Sequence, residues 1–128
     1  MTTFNPVEQR SELLQRLEGA PELIITCYCA AWCTTCKAYQ PAFDQLAARY
    51  PAYCFVWLDI EDHEELLEDE DIENFPTLHI QQGESTVFFG TLLPYIEHLE
   101  QLIQRAARNE LPVIESAMTA LQQRLSQA

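Results

Sequence analysis

No apolar run in this chain approaches the roughly 20 residues of a membrane-spanning helix, so a protein held in a bilayer by such a span is excluded. The opening residues, Met1-Thr2-Thr3-Phe4-Asn5-Pro6, lack a basic segment followed by an apolar one, and no secretory signal is expected. Basic residues are scarce as well. Seven Lys and Arg stand against twenty Asp and Glu, net charge is −13, and Lys37 is the only lysine. Such a surface repels nucleic acid and anionic lipid, and at low salt it attracts basic protein partners. Internal repeats and low-complexity stretches are missing too. What remains is 128 residues of 48% hydrophobic composition, enough for one folded unit that buries about two-thirds of its surface. The expected compartment is a reducing cytoplasm, where a C-x-x-C pair points to catalysis rather than to structure. The five cysteines are odd in number, so at least one thiol stays unpaired in the monomer.

The chain is organised around Ala30-Ala31-Trp32-Cys33-Thr34-Thr35-Cys36-Lys37. Before it, Leu23 to Cys29 form an apolar run, β-branched and aromatic, that predicts a buried central strand over about 22–29. After it, Tyr39, Phe43, Leu46, Ala47 and Tyr50 recur at helical spacing, which predicts a helix over 34–49. Both cysteines therefore sit where a strand gives way to a helix. Unpaired N–H groups and the helix dipole favour a negative atom there, and a thiolate is such an atom. Cys33 is the expected reactive thiol, and Cys36, one turn on along the same face, its disulfide partner.

Elsewhere Asn5-Pro6-Val7-Glu8 reads as a helix start, with Val7, Leu13, Leu14 and Leu17 as its stripe and Gly19-Ala20-Pro21 as its end. Residues 53–58 read as a second buried strand. Glu61 to Glu73, with Leu66, Leu67 and Ile72, reads as a short helix with an acidic outer face. Residues 77–80 and 86–89 flank Gln82-Gly83-Glu84 as a hairpin. Pro94 opens a last domain helix that buries Ile96, Leu99, Leu102, Ile103 and Ala106. Pro41 should kink the helix it interrupts.

With Trp32-Cys33-x-x-Cys36-Lys37, Pro41, Phe75-Pro76-Thr77, Gly83 and Gly90 in these places, residues 5–107 resemble the thioredoxin family. The resemblance implies an α/β thioredoxin-like fold: a central mixed sheet of about four strands flanked by helices, its first edge strand reduced or absent. It divides the chain into a thioredoxin-like domain, 1–109, and a C-terminal extension, 110–128, expected to be an extra helix. The apolar face of that helix (Val113, Ala117, Met118, Leu121, Leu125) would lie on its own domain or pair with a second subunit in a homodimer.

The implied activity is thiol–disulfide exchange on disulfides of a restricted set of protein partners. Cys33 would be the nucleophile and Cys36 the resolving thiol, recharged by a thiol reductant or a reductase. Trp32, Phe75 and Pro76 would bind substrate, Pro76 matching the family's cis proline. No cofactor is expected beyond a redox-active Cys33–Cys36 disulfide, and no metal. Two departures bear on tuning. Cys27 stands where the family has a buried aspartate six residues before the nucleophile, and Trp57 where it has the coupled lysine. Both charges are gone together, which leaves neither buried alone but removes the base for Cys36. Thr34-Thr35 replaces Gly-Pro, and its hydroxyls could donate to a thiolate or cap the helix start, while the acids of 61–73 would oppose the thiolate.

Cys27 and Cys29 alternate on one strand and should face the dithiol. Core filling by small cysteines is favoured for them, and for Cys54, over a second redox pair or a four-thiolate metal site. His63, His79 and His98 have no ligand partner at a useful spacing. The competing class is a thioredoxin-fold binding module with little redox turnover, which the missing charges and the acidic face favour.

Overall fold

Seven consecutive buried residues make Leu23–Cys29 (β2) the axis of the molecule. The computed structural model describes residues 3–6, 8–61, 74–114, 121 and 125. β2 pairs in parallel with Cys54–Asp59 (β3) and antiparallel with Thr77–Gln82 (β4), which explains why neither of its faces is polar. Thr3–Phe4 (β1) adds in parallel to the far side of β3, and Ser85–Thr91 (β5) pairs antiparallel with β4. The sheet is therefore mixed, in the order β1-β3-β2-β4-β5. It has five strands rather than about four, and the first edge strand survives as two residues. The β4–β5 turn carries Gly83 at φ 66°, a left-handed conformation that glycine adopts without steric cost.

Strand alternation splits the core in two. Ile25, Cys27, Cys29, Phe55, Leu78 and Ile80 face the helices Thr34–Arg49 (α2) and Ile96–Ala107 (α3). Ile24, Tyr28, Cys54, Val56 and Leu58 face Arg10–Glu18 (α1), whose Leu13 and Leu17 lie one turn apart. Cys54, with its thiol pushed up to about 12 by burial against a smaller opposing effect of Arg16, sits across the sheet from the other cysteines. The helices α2 and α3 are tied by Glu100, which accepts from the Tyr50 hydroxyl at 2.7 Å and pairs with Arg49 at 3.2 Å.

Two expectations about helix starts need correction. Asn5 does not cap α1; its Oδ1 accepts from the Glu8 N–H at 3.2 Å in a preceding turn, and the helix starts at Arg10. The end of α1 falls at Gly19-Ala20 as expected, with Gly19 as its C-cap (φ −71°) and Ala20 left-handed (φ 53°). Pro94 precedes α3 by two residues, and Tyr95 is its cap. At the other end of α3, Asn109 (φ 58°) and the Glu110 N–H to the Arg105 carbonyl (2.9 Å) close a Schellman turn, for which asparagine is suited.

Beyond α3 the Ile114 N–H donates to the Thr86 carbonyl at 2.9 Å, and the chain crosses to the α1 face. There Leu121 and Leu125 are fully buried in the second core cluster. The Leu121 N–H donates to Gln81 Oε1 at 2.9 Å, and Arg10 donates to the Leu125 carbonyl. Of the two covers left open for this apolar face, its own domain takes these leucines. Val113, counted with that face in the sequence, is instead exposed. Val7, the acidic run from Asp62 to Glu73 with Leu66, Leu67 and Ile72, His63, Ala117 and Met118 lie outside the described residues.

Candidate active site

The turn between β2 and α2 presents Trp32 and Cys33 outward while the helix carries Cys36 inward. Trp32 is 64% exposed, Cys33 is partly exposed, and Cys36 is buried at 2%. Cys33 is itself the cap residue of α2, in extended conformation, its N–H donating to the Ala30 carbonyl (3.0 Å) and its carbonyl accepting from Lys37 (3.1 Å). The Cys33 side chain itself makes no capping hydrogen bond at this helix start. The strand–helix junction read from the sequence is in place.

The disulfide is not where the spacing puts it. Cys36 is bonded to Cys29, seven residues back at the end of β2, with the two Cα atoms 5.8 Å apart. Cys33, its expected partner, is a free thiol. The reason is geometric. Cys29 is the last residue of a strand whose odd positions face α2, and Cys36 faces the strand from the first inward turn of that helix. A separation of 5.8 Å lies within the roughly 4.4–6.8 Å that disulfides span. From the sequence, core filling is favoured for Cys29 over a second redox pair, although the two-residue alternation already aims it, with Cys27, at the dithiol.

Cys27 does lie where the resemblance put it, fully buried beneath the site, 3.8 Å Sγ to Sγ from Cys29. Because Cys29 carries no thiol hydrogen in the disulfide, Cys27 is the donor of that weak contact. Burial holds the Cys27 thiol well above its usual range, so it is neutral. Burial likewise raises the phenol of Tyr39, with a further contribution from Cys27. Trp57 is the β3 neighbour of Cys27 in register, half-buried with its ring 5.5 Å from Phe43. No ion pair is left half-made where the family's two charges would stand.

Across the turn, Phe75 lies edge-on to Trp32, ring centroids 5.6 Å apart and planes at 83°. That contact seats the Asn74–Thr77 loop, with its cis Phe75–Pro76 bond, against the Cys33 turn. The Thr77 hydroxyl donates to the Asn74 carbonyl at 2.6 Å, and the Pro76 carbonyl accepts from Leu92. The structure thus brings Trp32, Cys33, Phe75 and Pro76 to one end of the sheet, where β2 ends and β4 begins.

A cleft of about 230 Å³ beside them is lined by Cys36, Lys37, Gln40, Trp57 and Asp59. Asp59, the β3 partner of Cys29 in register, is the carboxylate that the sequence reading passed over. It ends a strand taken to stop one residue earlier. His79 is buried on the opposite face, bonded to the Thr86 hydroxyl at 2.8 Å. Among the described residues no group of three or more His, Cys, Asp or Glu side chains is placed to hold a metal ion. Among them, too, no helix is long and apolar enough to cross a membrane.

The profile of the thioredoxin family matches residues 6–104. "Thioredoxin 1" of Plasmodium falciparum is 32% identical over 87 residues, covering 67% of this chain and 82% of that protein. "Putative thioredoxin H10" of Arabidopsis thaliana is 31% identical over 72 residues, 56% of this chain; the match spans only 47% of that relative's length. Among solved structures, the long form of spinach chloroplast thioredoxin f superposes with a TM-score of 0.64 at 27% identity, covering 84% of this chain and 85% of that one. With the strand–helix dithiol turn, the proline loop beside it and a matched stretch that takes in the whole sheet from β2 to β5, the chain belongs to the thioredoxin family.

Proposed function

We propose that the chain is a thiol–disulfide oxidoreductase acting on protein disulfides in a reducing cytoplasm. The observation that carries this reading is Cys33: a free, partly exposed thiol capping α2, with Trp32 and Phe75 beside it and Cys36 buried behind it. In the reduced protein Cys33, reacting as its thiolate, attacks one sulfur of a substrate disulfide. A mixed disulfide forms and the first substrate thiolate leaves. Cys36 then attacks the Cys33 sulfur, releasing the second substrate thiolate. Cys36 must lose its proton for that step. Cys27 is no base, and Asp59 is the carboxylate that shares the cleft with Cys36. A thiol reductant or a reductase restores the dithiol.

The acidic surface suggests basic partners and a restricted set of them, since like charges are turned away. Reduction of a disulfide-bonded test protein by dithiothreitol, with and without the chain, tests the reading. Acceleration by wild type and none by Cys33→Ser is expected. No acceleration by wild type would favour the binding module, whose groove the exposed Trp32 and the Phe75 loop would form without turnover.

A further inference from the structure

We infer that Cys29 is a third redox cysteine of the site, which takes over Cys36 from Cys33 and so frees Cys33 while the protein is oxidised. The inference rests on the oxidoreductase reading and extends it. Three facts support it. Cys36 is bonded to Cys29 and not to its C-x-x-C partner. Cys33 is a free thiol, more exposed than either. All three pack in or against one core cluster, so the exchange needs no rearrangement of the sheet.

The step balances without an added oxidant. Substrate turnover leaves a Cys33–Cys36 disulfide. Cys29, after giving its proton to water, attacks the Cys36 sulfur. The Cys29–Cys36 bond forms, the Cys33–Cys36 bond breaks, and Cys33 departs as a thiolate that takes up a proton. One disulfide and one thiol exist before and after. Cys29 and Cys36 are 1% and 2% exposed, so the relocated bond is shielded from thiols in solution. Its return path is the reverse attack by Cys33 on Cys36. The oxidised chain therefore keeps a nucleophile at its surface and a stored disulfide beneath it. A second substrate disulfide attacked by Cys33 in this state yields a mixed disulfide that Cys36 cannot resolve.

Disulfide mapping tests the relay. The full chain is oxidised with oxidised glutathione, quenched in acid, alkylated and cleaved after Tyr28 and Trp32, which separates residues 29–32 from 33–39. In wild type, residues 29–32 should emerge linked to 33–39, with the alkyl label on Cys33. In oxidised Cys29→Ser the label on Cys33 should be lost, because Cys33 is then locked to Cys36; Cys29→Ala serves if the serine variant does not fold. An unlinked 33–39 fragment with its two cysteines joined and Cys29 labelled would overturn the inference. So would equal labelling of Cys33 in wild type and the Cys29 variant. The reductase reading fails separately, if Cys33→Ser keeps its turnover whatever the linkage map shows.

Discussion

Cys27 Sγ lies 3.8 Å from Cys29 Sγ, and through Cys29 it is one bond removed from Cys36. A neutral thiol thus stands under the redox site at the position where the family resemblance expects a carboxylate. Restoring it should show what is missing. Cys27→Asp should speed release of the mixed disulfide at neutral pH by on the order of tenfold, a modest share of what general bases contribute. It should also lower stability by roughly 1–3 kcal/mol, because the new carboxyl is fully buried. Asp59→Asn should slow the same step if the cleft carboxylate substitutes for the absent base. Rapid-mixing measurement of the second substrate thiol checks both. Equal release rates in wild type and Cys27→Asp would remove the argument about the base.

Three buried acids make the fold sensitive to alkali. The thiols of Cys27 and Cys54 and the phenol of Tyr39 are all raised by burial, Cys54 to about 12. Each binds its proton more tightly folded than unfolded. Their contribution is complete below the unfolded thiol range near 8.5 and is lost as pH climbs toward the folded values. Stability measured by urea unfolding should therefore fall above about pH 8.5, each retained proton adding a slope of about 1.4 kcal/mol per pH unit. Cys54→Ala should be less stable at neutral pH yet lose less between pH 8.5 and 11. An identical alkaline slope in the variant would show that Cys54 ionises as readily folded as unfolded.

The Trp32–Phe75 edge-to-face pair holds the Cys33 turn and the Asn74–Thr77 loop together. Such pairs are worth about 0.5–1.5 kcal/mol beyond burial. Trp32→Ala and Phe75→Ala should each lower kcat/KM for a protein disulfide by about threefold to tenfold. The double variant should lose less than the product of the two, since each single change already breaks the contact. Strict multiplication in the kinetic cycle would mean the rings act independently.

Charge gives the fourth expectation. With −13 on 128 residues, the encounter with a basic disulfide protein is steered at long range, and salt screens that attraction. The second-order rate of mixed-disulfide formation should fall steeply between low and physiological ionic strength. An acidic substrate should show the opposite trend. A flat response for both would leave the acidic surface without a part in partner choice.

The local periodicities carried most of the architecture. The apolar run before Ala30 and the three- and four-residue steps after Lys37 placed β2 and α2 within a residue of where they lie. Helix starts were less legible, because Asn5 and Pro6 carry cap chemistry but serve a separate turn. The site was readable as a place, but the bond that Cys36 makes in this structure, to Cys29, was not. Spacing along one helix suggested Cys33 with Cys36, whereas the partner of Cys36 comes from a neighbouring element. A contact across elements depends on where strand and helix cross, which no single stretch encodes. Asp59 escaped for the same reason: its register opposite Cys29 exists only once β3 lies beside β2.

The C-terminal leucines give the last prediction. Leu121 and Leu125 are fully buried beside Leu13, Ile24 and Val56, and the Leu121 N–H is bonded to Gln81, itself buried on the same face of β4. Replacing either leucine with alanine should cost about 2–5 kcal/mol, the usual range for a buried leucine. Cutting the chain after Asn109 removes both and uncovers part of that sheet face. The truncated protein should unfold at lower urea and self-associate through the bared surface, whereas the full chain, with these leucines covered by its own domain, should sediment as a monomer. If truncation left stability unchanged, the segment would not belong to the core, and its apolar face would have to find its cover on a second subunit.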